Sequence, residues 1–372
     1  MRYRQVPHYS FIFSLMPTTA THALGIDFHK AHSTFVLIDT DSKVVWKRRT
    51  PSTPDDFQKT LGVLKDVVPL PALPAAIEPV CGWRWAVKLL EEEGIAVKVA
   101  NPRKMRIIAD SLDKTDDNDA ARLAWIRLVD KMPTSYVAPD DIVNLRRLVR
   151  GYLSLIRVRT KMKNRIQALA TDEGLNITLG NASTAKGLAL LREARKDDPT
   201  YKAFITALCD IAAAIRPLYT QMVALASEHP IIRRLATMPS VGPVTATTVC
   251  AEVGDFHRFR SGKELASFAG LVPRERSSGG TVRQGHITKT GSNALRHIIV
   301  EAATRVRHDG DNALSAYLAG ITEDHTDKKP KILRVALARM MLVAMHRMIV
   351  TGSDFDPGRF VRNKSEVTSS TL

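Results

Sequence analysis

The sequence predicts an α/β domain with a mixed sheet at its N-terminal end, then a basic helical arm and a mostly helical C-terminal domain. Three observations carry this expectation. Short β-branched runs alternate with amphipathic segments from Ala23 to about Asp130, apolar residues recur at helical spacing from Asp141, and Pro/Gly punctuation opens a new unit near Pro239. At 372 residues two or three folding units are expected, and a hydrophobic fraction of 44% is ample for their cores.

Strands are expected at Ala23–Asp27, Thr34–Asp39 and Lys43–Arg48, with Thr40-Asp41-Ser42 as a hairpin turn. A polar stretch with Pro51 and Pro54 opens a helix near Asp55 to Val67. Ala75–Glu78 reads as a short buried strand ending on a carboxylate, a helix runs through Trp85 to Glu93, and Ile95–Ala100 is a strand that stops at Asn101-Pro102. This β-β-β-α-β-α-β order is the succession of an RNase H-like sheet, with its first two strands antiparallel and its first and fourth side by side.

Asp27 is a lone acid in an apolar frame at the end of the first strand, and Glu78 ends the fourth. Asp116 and Asp119, three residues apart, fall roughly 60° apart on one helical face. Like charges placed together are costly unless a cation sits between them, although acids at a helix start also complement its dipole. Four such oxygen donors suit Mg²⁺ or Mn²⁺, which could clamp the attacking and leaving oxygens of a phosphodiester.

The balance of 54 Lys+Arg against 38 Asp+Glu, a formal charge of +16, is the footprint of a polyanion binder, with nucleic acid the leading partner. From Asp141 an amphipathic helix carries Arg146, Arg147, Arg150, Arg157, Arg159, Lys161, Lys163 and Arg165 between its apolar positions, a solvated face or a phosphate-contacting one. Phe204 to Leu225 fits a helical hairpin or coiled-coil arm that could dimerise, with Pro217 expected to interrupt a long seam. Pro239-Ser240-Val241-Gly242-Pro243 is like the turn of a helix-hairpin-helix, whose amides, Gly242 among them, can hold a DNA phosphate.

The segment Glu275 to Ser292 is rich in Gly, Ser and Thr and has little means of forming a core. Arg274, Arg276, Arg283 and Lys289 surround Ser277 and Ser278 with positive charge, fitting either a phosphate-binding loop or an activated serine nucleophile. Further helices are expected at Asn293–Arg307 and Lys328–Ile349, before a polar tail. Cys81, Cys209 and Cys250 lack paired spacing, so neither a disulfide framework nor a zinc site is expected. Met1 to Leu15 lacks a full signal-peptide pattern and reads as a loose extension, with Met16 an alternative start. No stretch approaches the roughly 20 apolar residues that a membrane span needs, so a cytoplasmic protein with no membrane partner is expected.

Gly25-Ile26-Asp27, Ile77-Glu78, Asn101-Pro102, Lys114-Thr115-Asp116 with Asp119-Ala120, Pro239-Ser240-Val241-Gly242 and Phe268-Ala269-Gly270-Leu271-Val272-Pro273-Arg274 running into Ser278-Gly279 together resemble the insertion-sequence transposases of the IS-one-ten type, which include pilin-gene site-specific invertases. The resemblance covers about Leu24 to Asp356. It implies a RuvC-like domain with a D-E-D-D metal site at Asp27, Glu78, Asp116 and Asp119, a coiled-coil connection, and a transposase domain whose nucleophile is Ser278, with Ser277 its neighbour. It also implies a homo-oligomer, a dimer or tetramer, acting on donor and target DNA with a structured non-coding bridge RNA.

The expected divisions are an extension at 1–21, the catalytic domain at 22–172, a helical connector at 173–230, the serine-loop domain at 231–356 and a tail at 357–372. Rival readings are a RuvC-like nuclease using water as nucleophile, an actin-like ATPase sharing the G-I-D opening, and a basic binding protein with a dead site.

Overall fold

The computed structural model describes residues 20–108, 116–175, 184–275 and 284–360. Most of the N-terminal extension, residues 176–183 of the expected connector, Arg276, Ser277, Ser278, Arg283 and most of the tail lie outside them. The chain divides into two compact units, Met1–Val137 and Ala138–Leu372.

The first unit runs β1 (His22–Phe28), β2 (His32–Asp39), β3 (Val44–Pro51), α1 (Pro54–Lys65), β4 (Pro74–Ile77), α2 (Trp83–Glu92), β5 (Ala96–Val99), α3 (Pro102–Ile108) and α4 (Asp116–Leu128). Its sheet has the order β3-β2-β1-β4-β5, with β1 antiparallel to β2 and parallel to β4, as the element succession predicts. The β2–β3 turn is built by Asp39, whose Oδ1 accepts from the amides of Asp41 and Lys43 at 2.9 Å each while Ser42 takes a positive φ of 63°. Thr53 caps α1 by accepting from the Asp56 amide. Pro102 both ends the fifth strand's extension and opens α3, where the Asn101 carboxamide accepts from the Lys104 amide.

Side chains of β1 alternate between two apolar layers. Leu24, Ile26 and Phe28 join the core formed with α1 and α2, which includes Phe57, Leu61, Ala86 and Leu90. Ala23 turns to the other side and packs with Ala120, Ala121, Ala124 and Leu128 of α4. Gly25 permits this packing. A Cβ there would overlap the Ala120 carbonyl oxygen and lie 2.7 Å from the Ala124 amide nitrogen.

The second unit contains α5 (Asp140–Asp172), α6 (Ala185–Ala194), α7 (Pro199–Glu228), α8 (Pro230–Leu235), α9 (Pro243–Val253), α10 (Gly262–Phe268), β6 (Pro273–Glu275), β7 (Gln284–Ile287), α11 (Asn293–Arg305), α12 (Ala313–Asp324) and α13 (Pro330–Thr351). Ile166 and Ala170 near the end of α5 share a core with Tyr201, Ile205 and Leu208 near the start of α7, so the two helices run antiparallel. Helix α5 therefore packs within this unit, although the expected catalytic domain extends to residue 172.

Several local expectations change. Helix α7 is one continuous 30-residue helix that runs through Pro217, not a helical hairpin. Its buried stripe of Tyr201, Ile205, Leu208, Ile215 and Met222 supplies packing that outweighs the missing proline N–H. The same helix is long and apolar enough, by length and composition, to cross a membrane, which corrects the reading that no stretch is. Its alanines raise the mean hydropathy without forming an unbroken apolar run. The Gly/Ser/Thr-rich segment is entered and left by paired strands, since β6 and β7 form an antiparallel ladder from Pro273↔Ile287 to Glu275↔Gln284.

Candidate functional site

In the first unit the acids are placed by the sheet. Ile26 pairs in register with Ile77 on β4, and both face the α1–α2 core. The preceding pair, Gly25 and Ala76, lies on the α4 side. Asp27 is next on β1, so by strand alternation it belongs to the α4 side, and Glu78 follows directly on the last residue of β4. Helix α4 runs antiparallel to β1: its Ala120 meets Gly25 while Leu128 packs with Ala23. Its N-terminal end, carrying Asp119 and Asp116, thus points toward the end of β1 where Asp27 sits.

Asp27 is only 4% exposed, whereas Glu78 and Asp119 are partly exposed. His29 Nε2 lies 3.1 Å from Asp27 Oδ2, and Arg122 donates to Asp119 Oδ1 at 3.3 Å. The loop carrying His29 is tied down by Ser52, which donates to the His29 carbonyl at 2.6 Å and bonds to Ser33 Oγ at 2.7 Å. Sequence reasoning missed His29, although its position two residues beyond a strand-end acid was a usable signal. Among the described residues no three acidic, histidine or cysteine side chains stand close enough to form a preassembled metal shell. Asp116 opens α4, but its side chain lies outside the described set.

In the second unit the cations of α5 divide into two kinds. Arg146 donates from Nε to the Ala251 carbonyl at 2.8 Å and from Nη2 to the Glu252 carbonyl at 3.3 Å. Arg150 grips the Glu252 carboxylate with two hydrogen bonds, 2.7 and 2.9 Å. Both are engaged within the fold, a use that spacing on the helix cannot reveal. Arg147, Arg157, Lys161 and Arg165 are exposed, and Arg159 and Lys163 are half-buried.

Glu252, 2% exposed, also accepts from Ser292 Oγ at 2.8 Å, and Ser292 caps α11 by accepting from the Leu295 amide. Burial works to raise the Glu252 carboxyl, but the hydrogen bonds and charges of Arg150, together with Ser292 and Arg146, outweigh it and hold the group below the usual carboxylate range. This carboxylate fixes α11 just after the β6–β7 hairpin. Gly291 completes the fixation, because a side chain there would overlap the Phe268 carbonyl, and Arg296 donates to the carbonyls of Ala269 and Thr290 at 3.0 and 3.1 Å. The hairpin base carries Arg274 and Lys289, both exposed, the latter at a positive φ of 54°. Its tip, with the candidate serines, lies outside the described residues.

The turn between α8 and α9 lines an open depression of about 450 Å³ with Arg305 and Asp309. Gly242 is the N-cap residue of α9 and makes no side-chain cap bond, and Pro243 follows in the first turn. Ser240 adopts a positive φ of 64° in this turn.

Comparisons with known proteins match the chain in two stretches. A family model described as "Transposase" and of the DEDD, IS110 type matches residues 24–173, past the boundary between the compact units, and one described as "Transposase IS116/IS110/IS902 family" matches residues 232–319. The chain is 30% identical to the Sinorhizobium fredii protein y4pF/y4sB over 73% of its length and 71% of that protein. It is 26% identical to the Coxiella burnetii transposase for insertion sequence element IS1111A over 85% and 83%. A pilin gene-inverting protein of Moraxella bovis is 31% identical over 33% of this chain and 38% of that protein. The chain belongs to the IS116/IS110/IS902 family of insertion-sequence transposases, enzymes of DNA recombination.

Proposed function

We propose that the chain cuts and rejoins DNA through a transient phosphodiester bond to Ser278, at an acidic site made of Asp27, Glu78, Asp116 and Asp119. The observation that supports this reading is the parallel register of β1 and β4, whose last pair, Ile26 and Ile77, immediately precedes Asp27 and Glu78. The donor set fits a hard divalent cation: carboxylate oxygens, one of them largely withdrawn from water at Asp27, and no cysteine among them. Bound there, Mg²⁺ or Mn²⁺ would supply Lewis-acid stabilisation of charge developing at the reacting phosphate. Asp27, Glu78, Asp116 and Asp119 would hold it. His29 orients one oxygen of Asp27.

In the step itself the Ser278 hydroxyl loses its proton as Oγ bonds to phosphorus, the bond from phosphorus to the 3′ oxygen breaks, and that oxygen leaves with a proton. Reversal onto a new 3′ end rejoins the strand. Arg274 and Lys289 at the hairpin base, with Arg276 and Arg283 nearer its tip, support the charge on phosphate. The exposed cations of α5 and the Gly242 turn hold nucleic acid. By family resemblance the DNA partners are a donor and a target, matched through a structured bridge RNA by a homo-oligomer in the cytoplasm. The same resemblance makes α7 the coiled-coil arm and supports functional divisions at residues 172 and 230.

The test is incubation of the full chain with labelled element-end DNA and Mg²⁺. A protein–DNA adduct that survives denaturation, and that disappears in Ser278→Ala but persists in Ser277→Ala, is expected. Undiminished cleavage by Ser278→Ala without an adduct would support the water-using nuclease instead.

A further inference from the structure

Arg159 and Lys163 stand one turn apart on α5, which puts two positive charges on the same helical face. The pair is unlike an ordinary solvated cationic face. The Arg159 Nε atom is out of contact with water and has no hydrogen-bond partner among the described residues. Burial, and then the Arg159 charge, hold the Lys163 ammonium below its usual range, and no carboxylate among the described residues acts to raise it. Half-buried like charges left unopposed cost free energy in the free protein, and an anionic oxygen placed between them removes that cost.

The surroundings supply more than charge. Tyr152, two turns before Arg159, lies within electrostatic reach of Arg159, of Tyr219 on α7, and of Glu301 and Arg305 on α11. Tyr219 is 45% exposed and Val223, one turn on, is 42% exposed, so an aromatic residue within electrostatic reach of Tyr152 is left open to solvent. Arg305 donates to Thr245 Oγ1 on α9 at 3.1 Å and also lines the depression at the α8–α9 turn. Glu301 is the acid facing this region, and it is shared between Arg305 at 3.9 Å and His297 at 3.7 Å. From Tyr152 to Lys163 the helix rises about 16 Å, more than a single phosphate occupies.

We propose that Tyr152, Arg159, Lys163, Tyr219 and Arg305 form a track for a single-stranded stretch of nucleic acid, with phosphates on the cations and an unpaired base stacked on Tyr219. An exposed ring can stack on a base only when that base is unpaired, and the arrangement of charge with aromatic is the one that holds single strands without reading sequence. The proposal rests on the DNA-recombining function and says which part of the strand exchange this surface serves. Where paired DNA opens during recombination, such a surface can hold the released strand.

The experiment is fluorescence anisotropy of the full chain with a labelled single-stranded DNA, the RNA of the same sequence, and the matching DNA duplex, each across a salt series. Tyr219→Ala is expected to weaken single-strand binding by roughly tenfold and to leave duplex binding unchanged. Lys163→Met is expected to reduce the salt slope for single strands by about 0.7 and to leave the melting temperature equal or raised, because it removes a like-charge neighbour. Equal binding of DNA and RNA assigns the track to backbone and base alone, and a preference assigns it to the preferred strand; either supports the proposal. Wild-type single-strand affinity in both variants overturns it, as does equal weakening of single strand and duplex by Tyr219→Ala. Cleavage of element-end DNA by the same preparations separates the two readings: intact cleavage with unaltered binding removes the track and leaves the acid site standing.

Discussion

Gly25 of β1 lies directly against the backbone of α4 at Ala120, so closely that any side-chain carbon there would overlap the Ala120 carbonyl oxygen. The contact sets the distance of α4 from the sheet and brings the helix end that carries Asp119 toward Asp27. In the proposed reading, a residue with no chemistry of its own thus governs whether the acids can act together.

Gly25→Ala is expected to force α4 off the sheet, with a loss of stability of about 3 kcal/mol from overpacking against backbone that cannot yield. Thermal unfolding would show it. The accompanying loss of DNA cleavage should exceed the loss of fold, since the separation falls at the acidic site. A variant with wild-type melting temperature would contradict the close approach.

Glu252 is a structural carboxylate whose folded-state affinity for protons is reduced. Its contribution is present above the ordinary glutamate range and is lost as pH falls from that range through its lowered value. Glu252→Gln is expected to cost about 2 kcal/mol at neutral pH, chiefly the charged hydrogen bonds to Arg150 and Ser292, and to flatten the acid limb of the stability profile. Urea titration at several pH values measures both.

The two kinds of α5 cation should separate on substitution. Arg150→Gln is expected to lower the melting temperature because it abandons the buried Glu252. The exposed Lys161→Gln and Arg165→Gln are expected to leave stability unchanged and to weaken nucleic-acid binding in a salt-dependent way. Paired melting and binding curves distinguish them.

Pro217→Ala should stabilise the second unit by about 2 kcal/mol, the helix-interior penalty of proline less what it saves in the unfolded chain. Denaturant midpoints test this. A destabilised variant would mean that Pro217 is required where it stands.

The first unit was legible because its signals are local and agree with one another. The Asp39 turn, the Thr53 cap and the alternation of β1 each point to the observed element. The strand-end positions of Asp27 and Glu78 followed from the same pattern. What could not be read depended on partners distant in sequence. Arg146 and Arg150 look like their exposed neighbours until Glu252, about 100 residues on, is known to sit beneath them. Pro217 reads as an interruption of a long seam because local propensity is all the sequence displays, whereas the buried stripe of α7 is a tertiary effect. The β6–β7 pairing was hidden by the Gly/Ser/Thr-rich tip between two very short strands.

The account rests on Asp27 as the central acid of a DNA-cutting site. The most direct measurement is strand cleavage of element-end DNA by Asp27→Asn, an isosteric change at a buried position, read beside DNA binding by the same protein. Cleavage abolished with binding and melting temperature retained is the predicted result. Cleavage at the wild-type rate would contradict it.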